Sequence, residues 1–149
     1  AQNALLAALY KMKPTKKFYV FFFDSSSKGM EGGSRRAFKW EIDLVRPWIG
    51  KQTPGSMTDP RGAIRDAFER IHPDTIWILT DGMFNGRGGS TAVRKLITQL
   101  NTNRLVRVNT VGFGRDPRDV DRNLGGIAVD NNGTYYFSRS DISHSDNRK

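Results

Sequence analysis

Three short polar stretches of this 149-residue chain carry oxygens that could do chemistry. Asp24, Ser25, Ser26 and Ser27 follow the apolar run FYVFFF. Ser56, Thr58 and Asp59 lie in GSMTDP, and Thr80, Asp81 and Gly82 close the run TIWILT. Carboxylates and hydroxyls are the hard donors that suit Mg²⁺, and a strand end that offers them at alternate positions would open such a site. Asp24 and Ser26 begin that pattern, but the next alternate position is Lys28. Asp81 is the most informative of the set. A carboxylate placed directly after a buried strand sits at the crevice, and the glycine that follows permits a sharp exit. The competing reading of Asp81–Gly82 is an ordinary turn or helix cap.

Other chemistries find no footing. Cysteine is absent, which removes disulfides and thiolate ligands or nucleophiles. His72 and His144 lack the spacing of a zinc pair, and His72 beside Pro73 reads as a helix-end residue. GFGRDP and GRGGS are only fragments of nucleotide-binding loops, and no strand-to-helix nucleophile elbow is present. The aromatics at 18–23 belong to a core strand rather than a stacking platform. Net charge is +9, from lysine and arginine spread along the chain and densest at Lys11–Lys17, Arg35–Lys39 and the pair Arg115 and Arg118. Such a chain could bind nucleic acid or an acidic polymer electrostatically, although a solvated basic surface accounts for it as simply. No stretch is long and apolar enough to span a bilayer, and no signal-peptide pattern opens the chain. The chain opens on Ala1 rather than Met, as an excised piece of a longer protein would.

The elements that must position these residues alternate along the chain. Residues 1–12 place Leu5, Leu6, Leu9 and Met12 on one helical face, and Pro14 follows. Residues 18–23 read as a buried strand, and Gly32–Gly33 as a turn. Ser34 is expected to cap a helix that turns Ala37, Phe38, Ile42 and Val45 inward and stops at Pro47. Asp59 and Pro60 read as an N-cap with proline at the first helical position, and the helix runs to Pro73. Residues 75–80 form a second buried strand. NGRGGS at 85–90 leads into a helix through Val93, Leu96, Ile97 and Leu100, and residues 104–113 form a third strand. A helix is expected from Asp116 to Ala128, then a last short strand at 134–138. Strands separated by helices in this rhythm predict an α/β fold, doubly wound around a mostly parallel open sheet with helices on both faces. Ligands of such folds bind at the carboxyl ends of the strands.

GSMTDPRGAIRDAF followed by DTIWILTDG resembles the von Willebrand factor A domain, whose pattern is a "GGTD" loop and then a strand ending in "LTDG". VNTVGFG and IAVDNNGTYYF are similar to the later strands of bacterial members, so the resemblance covers about residues 1–142, with 143–149 a polar tail. It implies a non-catalytic, adhesion-type protein-interaction domain with a metal-ion-dependent adhesion site. In that site Mg²⁺ is held by a DxSxS loop, a threonine and an aspartate, and an acidic side chain of the partner completes the coordination. Thr58 matches the threonine and Asp81 the aspartate; Ser56, Asp59 and Gly82 would lie beside the ligand. Asp24 stands too near Thr58 to open the DxSxS loop, because the family places a helix and further strands between them. On this alignment FYVFFFDSSSKGM is a second-strand hairpin and residues 1–12 are the first helix. The central first strand, with its loop, would then precede Ala1. Asp141, Ser143 and Ser145 also satisfy DxSxS, which would give a permuted site or one completed between chains; a plain polar tail is the competing reading. The segment from Tyr135 to Ser145 could serve as a surrogate first strand, or another chain could fill the gap. The resemblance leans towards an extracytoplasmic or cell-envelope setting.

Overall fold

The computed structural model describes residues 2–53 and 55–139. Helix α1 (Gln2–Lys11) comes first, followed by four short strands: β1 (Lys17–Phe18), β2 (Phe21–Phe23), β3 (Ser27–Gly29) and β4 (Arg35–Arg36). Helix α2 (Lys39–Gly50) and the six-residue α3 (Arg61–Asp66) follow, and α3 runs on into a π-helical turn, Ala67–Ile71. The rest is β5 (Thr75–Thr80), α4 (Gly89–Leu100), β6 (Arg107–Gly114), a single 3-10 turn (Pro117–Asp119), α5 (Asn123–Asp130) and β7 (Tyr135–Arg139).

The last three strands form a parallel sheet in the order β5-β6-β7, with Thr75 opposite Arg107 and Thr110 opposite Tyr135. The α/β expectation is met: parallel neighbours need crossovers, and α4 and α5 supply them. Side chains alternate across a strand. Ile76 and Ile78 of β5 and Val108 of β6 therefore face one way, into a core shared with Ile64, Val93, Ile97, Val120, Leu124 and Ile127. Trp77 and Tyr136 face the other way and stack on each other at 5.7 Å across β6, both exposed.

The apolar run at 18–23 does not form one continuous strand. Phe21–Phe23 pairs antiparallel with Ser27–Gly29, and Phe18 pairs with Arg35 in a separate ladder. This is the hairpin that the alignment implied, but its strand is half-buried rather than covered on both faces. Neither small ladder is hydrogen-bonded to β5, which has β6 as its sole strand partner among the described residues. Tyr135–Arg139 lie on the far side of β6, so they are the last strand and not a surrogate first one. A second core, built from Leu9, Phe18, Val20, Met30, Ile42, Val45 and Ile49, joins α1, α2 and the hairpins.

Local expectations fail at three places, each for a physical reason. Ser34 does not cap α2, because Arg35 and Arg36 are drawn into β4 and Ala37 N–H donates to Lys16 O at 2.9 Å; the helix starts after Phe38 with no side-chain cap. Pro47 does not stop α2, which carries on to bury Ile49 completely. Apolar burial beyond the proline outweighs the one backbone bond it removes. The expected helix from Asp116 splits. Asp116 accepts from Arg118 N–H at 2.8 Å and closes a short turn, Val120 buries in an extended conformation, and α5 starts only at Asn123.

Candidate functional site

The loops that leave β2 and β5, together with the segment entering α3, meet in one rim. Asp24 ends the β2 strand and closes its own turn, its Oδ1 accepting from Ser26 N–H at 2.9 Å. That bond, first among several, holds its carboxyl below the ordinary aspartate range. The backbone carbonyl of Asp24 accepts from Asp59 N–H at 2.9 Å, which ties the first loop to the second. The second loop is tied to the third through Asn85. Its Oδ1 accepts from Thr58 N–H at 2.6 Å and its own N–H donates to Thr58 O at 3.2 Å. Close approach at both junctions requires glycine. A Cβ on Gly55 would come within 2.5 Å of Asp24 Oδ2, and one on Gly86 within 2.5 Å of Asp59 Cγ.

Asp59 faces its own helix. Its carboxylate accepts from Arg61 N–H and, in a two-pronged pair, from Arg61 Nε at 2.9 Å and Nη2 at 2.8 Å. The expected capping role is therefore present, although the helix begins one residue later than the proline-at-N1 reading placed it. The Arg61 guanidinium, above all, keeps the Asp59 carboxyl low, and Asp59 in turn raises Arg61.

The third loop is anchored from beneath by Asp121, a buried carboxylate. Its Oδ2 accepts from Phe84 N–H at 3.1 Å and its Oδ1 from Asn123 N–H at 2.9 Å, while Phe84 buries in the sheet core. Between β5 and this anchor, Thr80 Oγ1 accepts from Gly82 N–H at 3.3 Å and shapes the exit turn. Asp81 is exposed directly after the strand, as its position in the sequence predicts. Ser56 is exposed in the second loop, Thr58 is half-buried at its centre, and Gly82 is half-buried in the exit turn. Asp141, Ser143 and Ser145 lie outside the described residues.

The sequence alone marks neither Asn85 nor Asp121 as a site residue. Asn85 sits in a glycine-rich stretch that reads as a generic loop, and Asp121 in a segment expected to be helical. The one local signal is an asparagine directly before a glycine, a turn signature without address.

No group of three acidic or histidine side chains suited to a metal exists among the described residues. Thr58 and Asp81 would supply two oxygens where Mg²⁺ takes about six. Asp24, which the sequence spacing already sets apart from the metal loop, has Oδ1 engaged in its own turn and Oδ2 packed on Gly55.

The model of the von Willebrand factor type A domain family matches residues 1–137, nearly the whole chain. The chain belongs to that family. A solved structure described as von Willebrand factor type A from Catenulispora acidiphila shares this fold with a TM-score of 0.74 at 17% identity. The match covers 93% of this A domain and 33% of that chain, so the domain spans about a third of the length of that relative. An uncharacterized membrane spanning protein from Vibrio fischeri aligns over 93% of this chain and 76% of its own, at 18% identity and a TM-score of 0.35, too low to carry an argument. No curated protein matches at a significant level. Domains of this family generally mediate protein interactions and are generally non-catalytic. No helix among the described residues of this A domain is long and apolar enough to cross a membrane.

Proposed function

We propose that this A domain is a non-catalytic docking module that takes a protein partner at the rim formed by the β2, β5 and α3-entry loops, with Asp81 and Thr58 as the contact residues. One observation carries the reading. Asp81 stands exposed at the end of the β5 strand, on a rim whose loops are cross-tied by Asn85 and anchored by Asp121. A rim braced in this way loses little entropy on binding, which favours affinity. The rim arginine Arg61 is already paired with Asp59 and so is poorly placed to clamp phosphates. Mg²⁺ belongs to the proposal only with ligands from outside the described residues, Asp141, Ser143 and Ser145 being the candidates. An acidic partner side chain would then complete its coordination.

The test compares wild type with Asp81→Ala, used as baits in Mg²⁺ and in EDTA, with thermal unfolding measured alongside. An exposed residue with no side-chain partner among the described residues should change stability by no more than about 0.5 kcal/mol when truncated. Loss of binding with an unchanged melt supports the reading, and loss only in Mg²⁺ supports the metal. A large drop in stability would instead make Asp81 a structural cap and sink the docking role. Binding that falls steeply with salt, and equally in both proteins, would point to an electrostatic binder of polyanions.

A further inference from the structure

The geometry points to Asn85 as a site of spontaneous covalent modification, a deamidation that rewrites the charge and backbone of the rim. The chain holds two asparagine–glycine pairs, Asn85–Gly86 and Asn132–Gly133. In such a pair the glycine amide nitrogen gives up its proton to water or hydroxide and attacks the asparagine Cγ. A C–N bond forms, the Cγ–Nδ2 bond breaks, and the amide leaves as ammonia after taking up a proton. Water then opens the five-membered imide at either carbonyl, leaving aspartate or isoaspartate. Glycine favours the attack because it has no Cβ to shield its nitrogen.

The fold treats the two pairs differently. At Asn85 the electrophile is primed: Thr58 N–H holds Oδ1 at 2.6 Å, where negative charge gathers as the tetrahedral intermediate forms. A fixed backbone donor at that position is the element that oxyanion sites use to lower such barriers. The Asn85 side chain is exposed to the water the reaction needs, and Gly86 N–H donates to no acceptor among the described residues. At the second pair the nucleophile is occupied, since Gly133 N–H donates to Ala128 O at 2.8 Å. Asn132 Oδ1 also has a donor, Arg104 Nη2 at 3.1 Å, so the difference between the pairs rests on the glycine nitrogen and on backbone freedom, with Asn132 Nδ2 further tethered to Arg104 O at 3.3 Å. Gly133 itself is wedged, with room for a Cβ denied by Val108 O at 1.7 Å. The larger movement that imide closure needs is therefore blocked there.

The product alters the loop tie. Aspartate keeps an oxygen for Thr58 N–H but adds a negative charge there, whereas isoaspartate lengthens the main chain by one methylene, so that with this product the paired bonds between residues 58 and 85 cannot both survive. If the rim takes an acidic side chain through Mg²⁺, the metal-dependent form of the reading above, the added negative charge changes the field that this side chain meets.

The test needs no partner, so its failure leaves the docking reading untouched. The protein is incubated at mildly alkaline pH, digested with trypsin, and the peptides 71–87 and 123–139 are followed by mass. Labelling by an isoaspartyl methyltransferase reports the isoaspartate product. Asn85 should convert on the order of ten-fold faster than Asn132, a small part of what a full oxyanion site achieves. The same incubation in denaturant should bring the two rates together, because the selectivity comes from the fold. Asn85→Gln should silence the first peptide and leave the second unchanged. Equal rates in the native protein, or a ratio that persists in denaturant, would overturn the proposal.

Discussion

Asp59 shows how one side chain can do several structural tasks within a few ångströms. Its backbone N–H ties the rim to Asp24, and its carboxylate takes Arg61 N–H and guanidinium together. That pairing depresses the Asp59 carboxyl in the folded state. A depressed carboxyl means that the folded protein binds fewer protons than the unfolded chain. Its stabilising contribution is therefore complete above the unfolded value of about 3.9 and is lost as pH falls through the lower, folded value. The rim should loosen in this acid window while Arg61 stays charged. Amide chemical shifts of Arg61 and Ala63, followed from neutral pH downward, should report it. Asp59→Asn should show the loosened state at neutral pH and lose the acid transition; a variant that kept that transition would assign it to another carboxylate. An Asp-Pro pair before a helical pattern was enough to suggest a cap. The two-pronged Arg61 pair depends on a rotamer, and the tie to Asp24 depends on a contact 35 positions away in the chain, so neither was legible.

At the scale of the element, α2 is the clearest case of burial overriding local preference. Proline lacks an N–H and crowds the carbonyl four residues back, costing about 3 kcal/mol inside a helix. Pro47 nevertheless lies within α2, because Val45 and Ile49 complete the second core on either side of it, and Trp48 packs edge-on against Phe22 at 5.4 Å. Pro47→Ala should therefore stabilise the protein, by about 1–2 kcal/mol once the roughly 1 kcal/mol of unfolded-chain entropy that proline removes is set against the helix term. Denaturant unfolding followed by circular dichroism measures this, and a destabilised variant would show that Pro47 is needed for the packing of α2. The run at 18–23 makes the converse point. Its composition says strand, and strand it partly is, but pairing with two different partners divides it at Tyr19–Val20. Composition sets a tendency to extend; the partner strands set where the ladder breaks.

For the whole molecule, the separation into two cores has a consequence for unfolding. The strand β6 is paired on both sides, with Val108 and Thr110 fully buried, whereas β1–β4 and β2–β3 are separate two-stranded ladders of two and three residues with no further strand partner among the described residues. Cooperative units tend to follow such boundaries. Amide exchange of Val108, Asn109 and Thr110 should report global unfolding, and that of Phe18, Phe22 and Lys28 a cheaper opening of the α1–α2 half. Equal protection across both groups would mean that the halves unfold as one.

The sequence by itself determined the α/β rhythm, the parallel β5 and β6 strands, the family and the place of Asp81 at a strand end. Each of these rests on local information, in side-chain period, punctuation by glycine and proline, and a motif read within a few residues. The tertiary structure alone decided the capture of Arg35 and Arg36 by a strand, the persistence of α2 through Pro47, and the meeting of Thr58 with Asn85 and of Phe84 with Asp121. These depend on pairings between distant segments, whose free energy comes from burial and from backbone groups that must find partners once water is excluded.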